Sequence, residues 1–180
     1  MRKNKCKDIE IYPYVYVYNG KKTILMWQTS ECGDSFRLNS NNNLIEAQSE
    51  AKIKKLLRSE SKKVHWSEST EMDFDRFWKT LKTLKVGRAS SGKTCKILLE
   101  GWNFIEDLAR TIKRTEELRR LHSPLLNKIY KKLFYGNNLP SITPKGKSYS
   151  PFWLKEEISS FKNEFISIWK MFIRFGYIKP

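Results

Sequence analysis

One segment of the chain has the spacing of a phosphate-binding P-loop. Residues 87–94 read GRASSGKT, which fits the pattern G-x-x-x-x-G-K-[ST]. In a P-loop the backbone N–H groups cradle phosphates, Lys93 would reach the β- and γ-phosphates, and Thr94 would bind Mg²⁺. However, a P-loop follows a buried aliphatic strand, whereas residues 78–85 have the pattern of an amphipathic helix. We therefore expect a Gly/Ser loop between two helices, and nucleotide hydrolysis is the least favoured of three functional hypotheses.

Histidines and acidic side chains are the other groups that could support catalysis or metal binding. Neither His65 nor His122 has a His, Cys or carboxylate four residues further on, so neither fits a metal-ligand pattern. Glu106 and Asp107 are adjacent and so point to different faces of a helix, and Glu106 has the spacing of an ion pair with Arg110. We therefore predict no metal site and no cofactor and expect both histidines to be structural or surface residues, while catalysis by either of them stays open.

The elements that carry these residues begin with an antiparallel β-meander. Isoleucine and valine alternate with tyrosine over residues 9–18, which is typical of a strand with one aliphatic and one aromatic face. Asn19-Gly20 then indicates a two-residue hairpin turn, because both positions tolerate a positive φ. The return strand is predicted at residues 23–27 and a third strand at 35–38, after a turn around Cys32.

The rest of the chain becomes increasingly helical. A helix over residues 46–58 and a fourth strand over 63–67 complete a β-rich part at about residues 9–67. A Thr-x-x-Asp capping pattern starts at Thr70, and a Pro-containing loop covers residues 137–150. Four helices are predicted from the apolar spacing, over residues 70–84, 94–112, 123–136 and 151–175. The sequence therefore predicts an α+β fold in a single domain (residues 1–180), with an N-terminal antiparallel meander packed against a mostly helical part at about 70–175.

The composition is that of a folded and strongly basic protein. The 180 residues include 35 Lys and Arg against 19 Asp and Glu, which gives a net charge of +16. Hydrophobic residues make up 39% of the chain and aromatic residues 13%, and this content excludes a disordered tail. Because no run of about 18 apolar residues occurs, we predict no transmembrane helix and no membrane partner.

The termini and cysteines indicate a cytoplasmic protein. Residues 1–7 are basic, but acidic residues follow them in place of the apolar segment of a signal peptide. The cysteines are Cys6, Cys32 and Cys95, an odd number too widely spaced for a C-x-x-C pair. We therefore expect three reduced thiols and a cytoplasmic location.

The positive charge raises the alternative of a nucleic-acid-binding protein. The tyrosines at residues 12, 14, 16 and 18 could stack on bases if their face of the sheet were exposed. They could equally pack beneath the helices. The basic residues recur on several helices, a pattern that favours solvated helix faces over a single binding stripe. Direct binding of nucleic acid therefore stays open as the second hypothesis.

Several segments of the chain also carry a family likeness. They are the strands at 14–18 and 36–39, and the motifs FDRFW (74–78), LLEGWNFIEDLAR (98–110), KLFYGNNLP (132–140) and PFW (151–153). Together these segments, which span roughly residues 12–170, resemble small bacterial immunity proteins. Such proteins are encoded beside the toxins of contact-dependent growth inhibition and related polymorphic toxin systems.

The resemblance implies a protein that is not an enzyme and has no catalytic residue. Its function would be to bind and neutralise the C-terminal toxin domain, commonly a nuclease, of a large secreted effector. Immunity proteins against nucleases are commonly acidic, and this chain carries +16. The toxin is therefore expected to present an acidic face, or the inhibitor to bind beside the catalytic cleft. Because functional contacts concentrate on loops, we expect exposed basic and aromatic loop residues to bind the toxin. The first choice is Tyr135, Asn137, Asn138, Lys145, Lys147 and Tyr149, and the second is the loop from Arg88 to Lys93.

Overall fold

The computed structural model describes residues 9–31, 33–58 and 63–179. Over these ranges a five-stranded sheet carries a short helix on one face and a larger group of helices on the other. Cys6, Cys32 and the basic residues 1–7 lie outside the described residues. Cys95 is a buried free thiol, and burial raises its pKa to about 11, which keeps it protonated at neutral pH.

The elements follow one another as a β-rich segment and then a helical one. The strands are β1 (Glu10–Tyr18), β2 (Lys21–Thr29), β3 (Ser35–Phe36), β4 (Glu46–Ala47) and β5 (Thr70–Asp73). The helices are α1 (Glu50–Leu57), α2 (Phe74–Thr83), α3 (Gly92–Thr111), α4 (Thr115–Leu121), α5 (Pro124–Gly136) and α6 (Lys155–Arg174). The strand order is β3-β2-β1-β5, with β4 paired to β2. The α+β class and the antiparallel β1–β2–β3 meander are therefore confirmed.

The start of the helical part differs from the prediction. Residues 70–73 form β5, which pairs in parallel with β1 and makes the sheet mixed. The helix expected from Thr70 begins at Phe74, and its N-cap is Asp73, whose carboxylate accepts the N–H of Arg76 at 2.8 Å. Met72 is buried in the main core while its neighbour Glu71 is exposed, so the alternation of a strand overrides the capping pattern one turn earlier.

Three further boundaries are corrected by the structure. The helix predicted from residue 46 begins at Glu50, because Glu46–Ala47 join β2 as β4. The strand predicted at 63–67 reduces to one bridge between Val64 and Ile11. The helix expected at 151 begins at Lys155, since residues 151–153 hydrogen-bond with residues 87–90 instead.

The α4 helix was not predicted, and a change of backbone direction separates it from α3. Lys113 adopts a positive φ of 58°, which ends the helical hydrogen-bond pattern of α3. The N–H of Arg114 then bonds back to the carbonyl of Ala109 at 2.8 Å. The apolar spacing of residues 94–112 predicted α3 well but gave no sign of this short continuation.

The aromatic face of β1 lies under the helices. Tyr16 is 1% exposed and packs edge-on against Phe74 and Phe104. Tyr14 also contacts Phe104, and burial raises the pKa of Tyr14 well above its ordinary value. Tyr18 packs edge-on against Trp169 of α6. These three tyrosines therefore do not form an exposed platform for stacking on bases.

A glycine allows α2 to pack directly on α3. A Cβ atom placed on Gly101 would lie 2.3 Å from Cδ2 and 2.5 Å from Cε2 of the Phe77 ring. It would also lie 2.9 Å from the terminal methyl of Met72, which comes from β5. Because Phe77 and Met72 are both fully surrounded by core residues, neither ring nor methyl has space to retreat. The contact of α2 and β5 with α3 thus requires glycine at this position.

Gly101→Ala is expected to lower the free energy of unfolding by about 1–3 kcal/mol, because the added methyl overpacks the core. The matched control is Gly92→Ala at the first turn of the same helix, where the nearest atom to a Cβ is 3.4 Å away. This control should cause no loss of stability. Urea denaturation of both variants measures the difference, and equal losses would contradict the close contact of α2 with α3.

Candidate functional site

Backbone hydrogen bonds join the P-loop-like segment (residues 87–94) to residues 151–153. The N–H of Gly87 donates to the carbonyl of Trp153 at 3.1 Å, and the N–H of Ser90 donates to that of Pro151 at 3.0 Å. The indole N–H of Trp153 donates to Oγ of Ser90 at 2.7 Å, and both side chains are buried. Helix α2, not a strand, precedes the segment. A phosphate-binding loop is therefore contradicted, while Arg88 remains exposed at the turn.

The long loop after α5 is closed by one asparagine side chain. The Asn138 amide donates to the carbonyls of Gly136 at 2.8 Å and Tyr149 at 2.9 Å. Its Oδ1 accepts the N–H of Tyr149 at 2.6 Å. Asn138 also has a φ of 54°, which asparagine tolerates better than most residues. The structure therefore places this predicted contact residue in a positioning role, and Asn137 beside it is the C-cap of α5.

The two predicted binding loops lie next to each other. A Cβ on Gly92 would meet the carbonyl oxygen of Gly136 at 3.4 Å and the Asn138 amide nitrogen at 3.5 Å. Lys145 and Lys147 of the first-choice loop are exposed, and so is Lys93 of the second-choice loop. The two binding loops predicted from the sequence therefore belong to one region, where the start of α3 meets the end of α5.

A shallow depression of about 590 Å³ lies on this region. Tyr135 and Tyr149, both predicted as contact residues, line it together with Lys128, Lys131 and Lys132 of α5. Tyr135 is 54% exposed, although its position after an apolar stripe of α5 would suit a core residue. The depression therefore combines aromatic rings with ammonium groups at the protein surface.

The positive charge is concentrated in two segments that lack acidic residues. Residues 76–99 contain seven Lys and Arg, residues 118–155 contain eight, and neither segment contains Asp or Glu. The other 20 Lys and Arg nearly balance all 19 acidic residues. Contacts between residues 87–90 and 151–153 join the two segments in space. The net charge is therefore less evenly distributed than the basic residues themselves, which occur on several helices.

Exposed cations and exposed apolar side chains share this region, which we call the basic apolar surface. Its apolar members are Val86, Tyr135, Leu139, Ile142, Tyr149, Phe152 and Leu154, and its basic members are Lys85, Arg88, Lys93, Lys131, Lys145, Lys147 and Lys155. Within the part of the chain that the structure describes, these basic side chains form no ion pair. Phe152, 62% exposed, has the largest exposed fraction of the apolar members.

A buried ion pair holds Phe152 in place. Lys132 donates to Glu157 at 2.7 Å and to the carbonyl of Phe152 at 2.8 Å. Lys128 lies 3.4 Å from the other oxygen of Glu157, whose side chain is fully buried. Burial raises the pKa of Glu157, but the hydrogen bonds from Lys132 and the Leu154 amide outweigh it and leave the pKa below its ordinary value. These contacts fix the segment from 152 to 157 against α5.

Sequence reasoning missed the apolar anchors of this surface. Val86, Phe152 and Leu154 lie outside the two loops that were chosen, and Lys131 lies on a helix. The signal that could have found them is the absence of acidic residues from both segments. Acidic side chains within a basic surface would reduce its positive potential. Exposed apolar residues that are contiguous in space mark a contact surface, and that contiguity is not visible in the sequence.

The histidines and acidic residues of α3 form ion pairs and stacked contacts. Arg110 pairs with Glu106 at 2.7 Å, as predicted, and with Asp107 at 2.8 Å, because it lies three and four residues further on. His122 lies 3.3 Å from Glu106. His65 stacks on Tyr12 with ring centroids 4.9 Å apart. Each of these groups thus has a structural partner.

Asp107 is the acidic residue whose titration is most altered by the fold. It lies in a cleft of about 430 Å³ and accepts the indole N–H of Trp27 at 3.3 Å. Burial raises its pKa to about 6, against the lowering effects of Trp27 and Arg110. The side chain therefore gains a proton near pH 6 while it links α3 to β2.

Comparison of the chain with protein-family models, curated proteins and solved structures finds no match. Within residues 9–31, 33–58 and 63–179, no group of three or more His, Cys, Asp and Glu side chains is arranged to hold a metal ion. None of the described helices is both long and apolar enough to cross a bilayer. The basic apolar surface, where exposed rings occur together with unpaired cations, is the candidate functional site.

The contribution of Asp107 to the stability of the protein should fall as the pH rises from about 4 to 6. Because the folded state holds a proton on Asp107 with a pKa of about 6, that stabilisation is complete below the ordinary carboxyl pKa and is lost as the pH passes 6. The side chain of the Asp107→Asn variant cannot ionise. Between pH 4 and 6 the free energy of unfolding of this variant should therefore fall less than that of the unchanged protein, by on the order of 2 kcal/mol. Thermal denaturation at pH 4, 5, 6 and 7 measures it, and an unchanged pH dependence in the variant would contradict the assignment.

Asn138→Ala is expected to loosen the loop that carries Tyr149, because it removes three hydrogen bonds. Amide hydrogen exchange at Tyr149 should accelerate by about tenfold or more, as expected when an interaction of about 1.4 kcal/mol is lost. Asn137→Ala is the matched control, since within the described residues the Asn137 side chain makes no hydrogen bond. Faster exchange in both variants alike would show that Asn138 does not close the loop.

Proposed function

We propose that this protein is an immunity protein that binds and neutralises the C-terminal toxin domain, a nuclease, of a contact-dependent growth inhibition effector. It thereby protects the cell that produces both proteins, and it acts by binding, without a catalytic step. The observation that carries the proposal is the basic apolar surface, where unpaired cations surround exposed rings and aliphatic side chains. The KLFYGNNLP motif, part of the likeness to immunity proteins, contributes Tyr135 and Leu139 to this surface.

The composition of the surface suits a protein partner. Protein interfaces commonly have aromatic anchors at the centre and charged groups around them, and a few anchors supply most of the binding energy. Here Phe152, Tyr135 and Tyr149 are the exposed rings, and Lys85, Arg88 and Lys131 are among the cations of the same surface. Lysines on the rim would speed association with an acidic partner, while buried rings would slow dissociation.

The charge also constrains where the toxin is bound. A nuclease needs a positive cleft to hold its substrate, and such a cleft would repel this surface. We therefore place the contact on an acidic face beside the cleft, from which the bound inhibitor blocks the access of nucleic acid. The toxin domain should accordingly carry an Asp- and Glu-rich surface next to its active site.

Direct binding of nucleic acid is the second candidate function. The unpaired cations of the basic apolar surface favour it, because they would release counterions from phosphates on binding. The exposed aliphatic side chains Val86, Leu139, Ile142 and Leu154 do not suit it, since single-stranded nucleic acid is bound mainly by stacking and charge. Three of the four tyrosines that could have stacked on bases, Tyr14, Tyr16 and Tyr18, pack instead on aromatic side chains of the helices.

Co-expression with the product of the adjacent upstream gene tests the proposal. If that gene encodes a secreted protein with a toxic C-terminal domain, we expect a stable one-to-one complex and survival of the cells that make both. Size-exclusion chromatography with light scattering measures the stoichiometry. Recovery of nucleic acid alone from such cells, with no complex and no protection, would overturn the proposal in favour of the second candidate.

Phe152→Ala should weaken the complex by at least about thirtyfold, roughly 2 kcal/mol, through faster dissociation. Lys131→Glu should mainly slow association, and the effect should shrink at high salt. Lys55→Glu on α1 is the control, because it makes the same charge change on the helix that covers the other face of the sheet. Surface plasmon resonance measures all three variants. Equal weakening by Lys55→Glu would show that net charge, not this surface, drives binding.

A further inference from the structure

An open apolar groove lies between α2 and α6, outside the basic apolar surface. The two helices run in opposite directions: Phe74 at the start of α2 packs on Trp169 near the end of α6, with ring centroids 4.2 Å apart. At the other end, Lys162 near the start of α6 reaches the carbonyl of Lys82 near the end of α2. The groove between them has a volume of about 690 Å³.

The floor of the groove is apolar. Trp169 is only 4% exposed, while Ile166 on the adjacent turn of α6 is 40% exposed. The Nε1 atoms of Trp78 and Trp169 are buried and have no hydrogen-bond acceptor among the described residues. The indole surface that faces the groove is therefore carbon, and with Ile166 it offers contacts for apolar side chains.

Lysines lie along both sides of this floor. Lys79 and Lys82 come from α2, and Lys162 and Lys170 come from α6. In the described part of the chain, none of the four is in an ion pair. Asp75 is the acidic residue that lines the groove, and its two oxygens accept the N–H groups at positions 19 and 20, each at 2.8 Å. The groove thus presents net positive charge on both rims.

We infer that this groove binds an acidic amphipathic helix of a partner protein. From Lys162 to Ile173 the wall formed by α6 rises about 16 Å, or three helical turns. A helix laid along it could place apolar side chains at i, i+4 and i+7 on the floor and glutamates against both rims. A fatty acid or another single-headed anionic lipid has its charge at one end and would leave lysines at the other end of the groove without a partner.

The inference does not depend on the toxin proposal, because the groove residues are not those of the basic apolar surface. A groove of this size and lining is also within the range of specific ligand sites in proteins. The partner is defined by its chemistry alone: a helix of at least three turns with one apolar stripe flanked by Asp or Glu.

A synthetic peptide tests the inference on the full-length protein. The probe is an 18-residue, capped and fluorescently labelled peptide with leucines at i, i+4, i+7 and i+11, glutamates beside them and alanines elsewhere. A scrambled peptide of the same composition, with no apolar stripe, separates groove binding from simple charge attraction. We expect at least tenfold tighter binding of the striped peptide by fluorescence anisotropy. Equal binding of the two peptides, or binding of neither, would overturn the inference.

Two groove variants and one control locate the site. Ile166→Glu should weaken the striped peptide at least tenfold, and the double variant Lys79→Glu/Lys170→Glu should do the same through charge. Each change is at an exposed position, and circular dichroism checks that the fold is kept. Phe152→Ala, outside the groove, should leave peptide binding unchanged even if it abolishes toxin binding. Tighter binding of dodecanoate than of the peptide, or loss of peptide binding only in Phe152→Ala, would contradict the assignment.

Discussion

The close approach of α5 to α3 is the contact on which the rest of the candidate site depends. A Cβ on Gly136 would lie 2.6 Å from Sγ of Cys95 and 2.9 Å from Cδ of Pro151, so glycine alone lets the end of α5 reach α3. This contact sets the start of α3 beside the loop that Asn138 closes. It therefore brings together two segments that are distant in sequence, free of acidic residues, and responsible for nearly all of the net charge. Without it, the cations and the exposed rings would belong to separate surfaces.

The same arrangement has an electrostatic cost that the fold offsets locally. Like charges on one surface destabilise the folded state by mutual repulsion. Near its centre, the fully buried carboxylate of Glu157 pairs with Lys132 and Lys128 and removes part of that repulsion. The remaining cations have no such partner within the described residues, so an acidic binding partner would stabilise the protein further by linkage. The proposed binding function would account for a surface that costs stability in the free protein.

Most of the fold could be predicted from the sequence because its signals are local. Apolar spacing located α3, α5 and most of α6, and Asn-Gly located the β1–β2 turn. The errors occurred where tertiary contacts decide the outcome. Strand β5 forms at residues 70–73 because β1 offers a free edge, and residues 151–153 pair with residues 87–90 instead of extending α6.

The candidate site was predicted only in part. Tyr135 and Tyr149 line one depression, but Asn138 holds the loop instead of facing outward, and the role of Phe152 depends on a buried ion pair that spacing does not reveal.

The central claim is that the basic apolar surface binds an acidic toxin domain. Hydrogen–deuterium exchange of this protein, alone and with the toxin domain encoded by the adjacent gene, tests it most directly. The account predicts slower exchange in residues 85–93, 131–135 and 145–155, and no change in α1 on the other face of the sheet. Protection confined to α1, or no protection anywhere in the presence of saturating toxin, would contradict it.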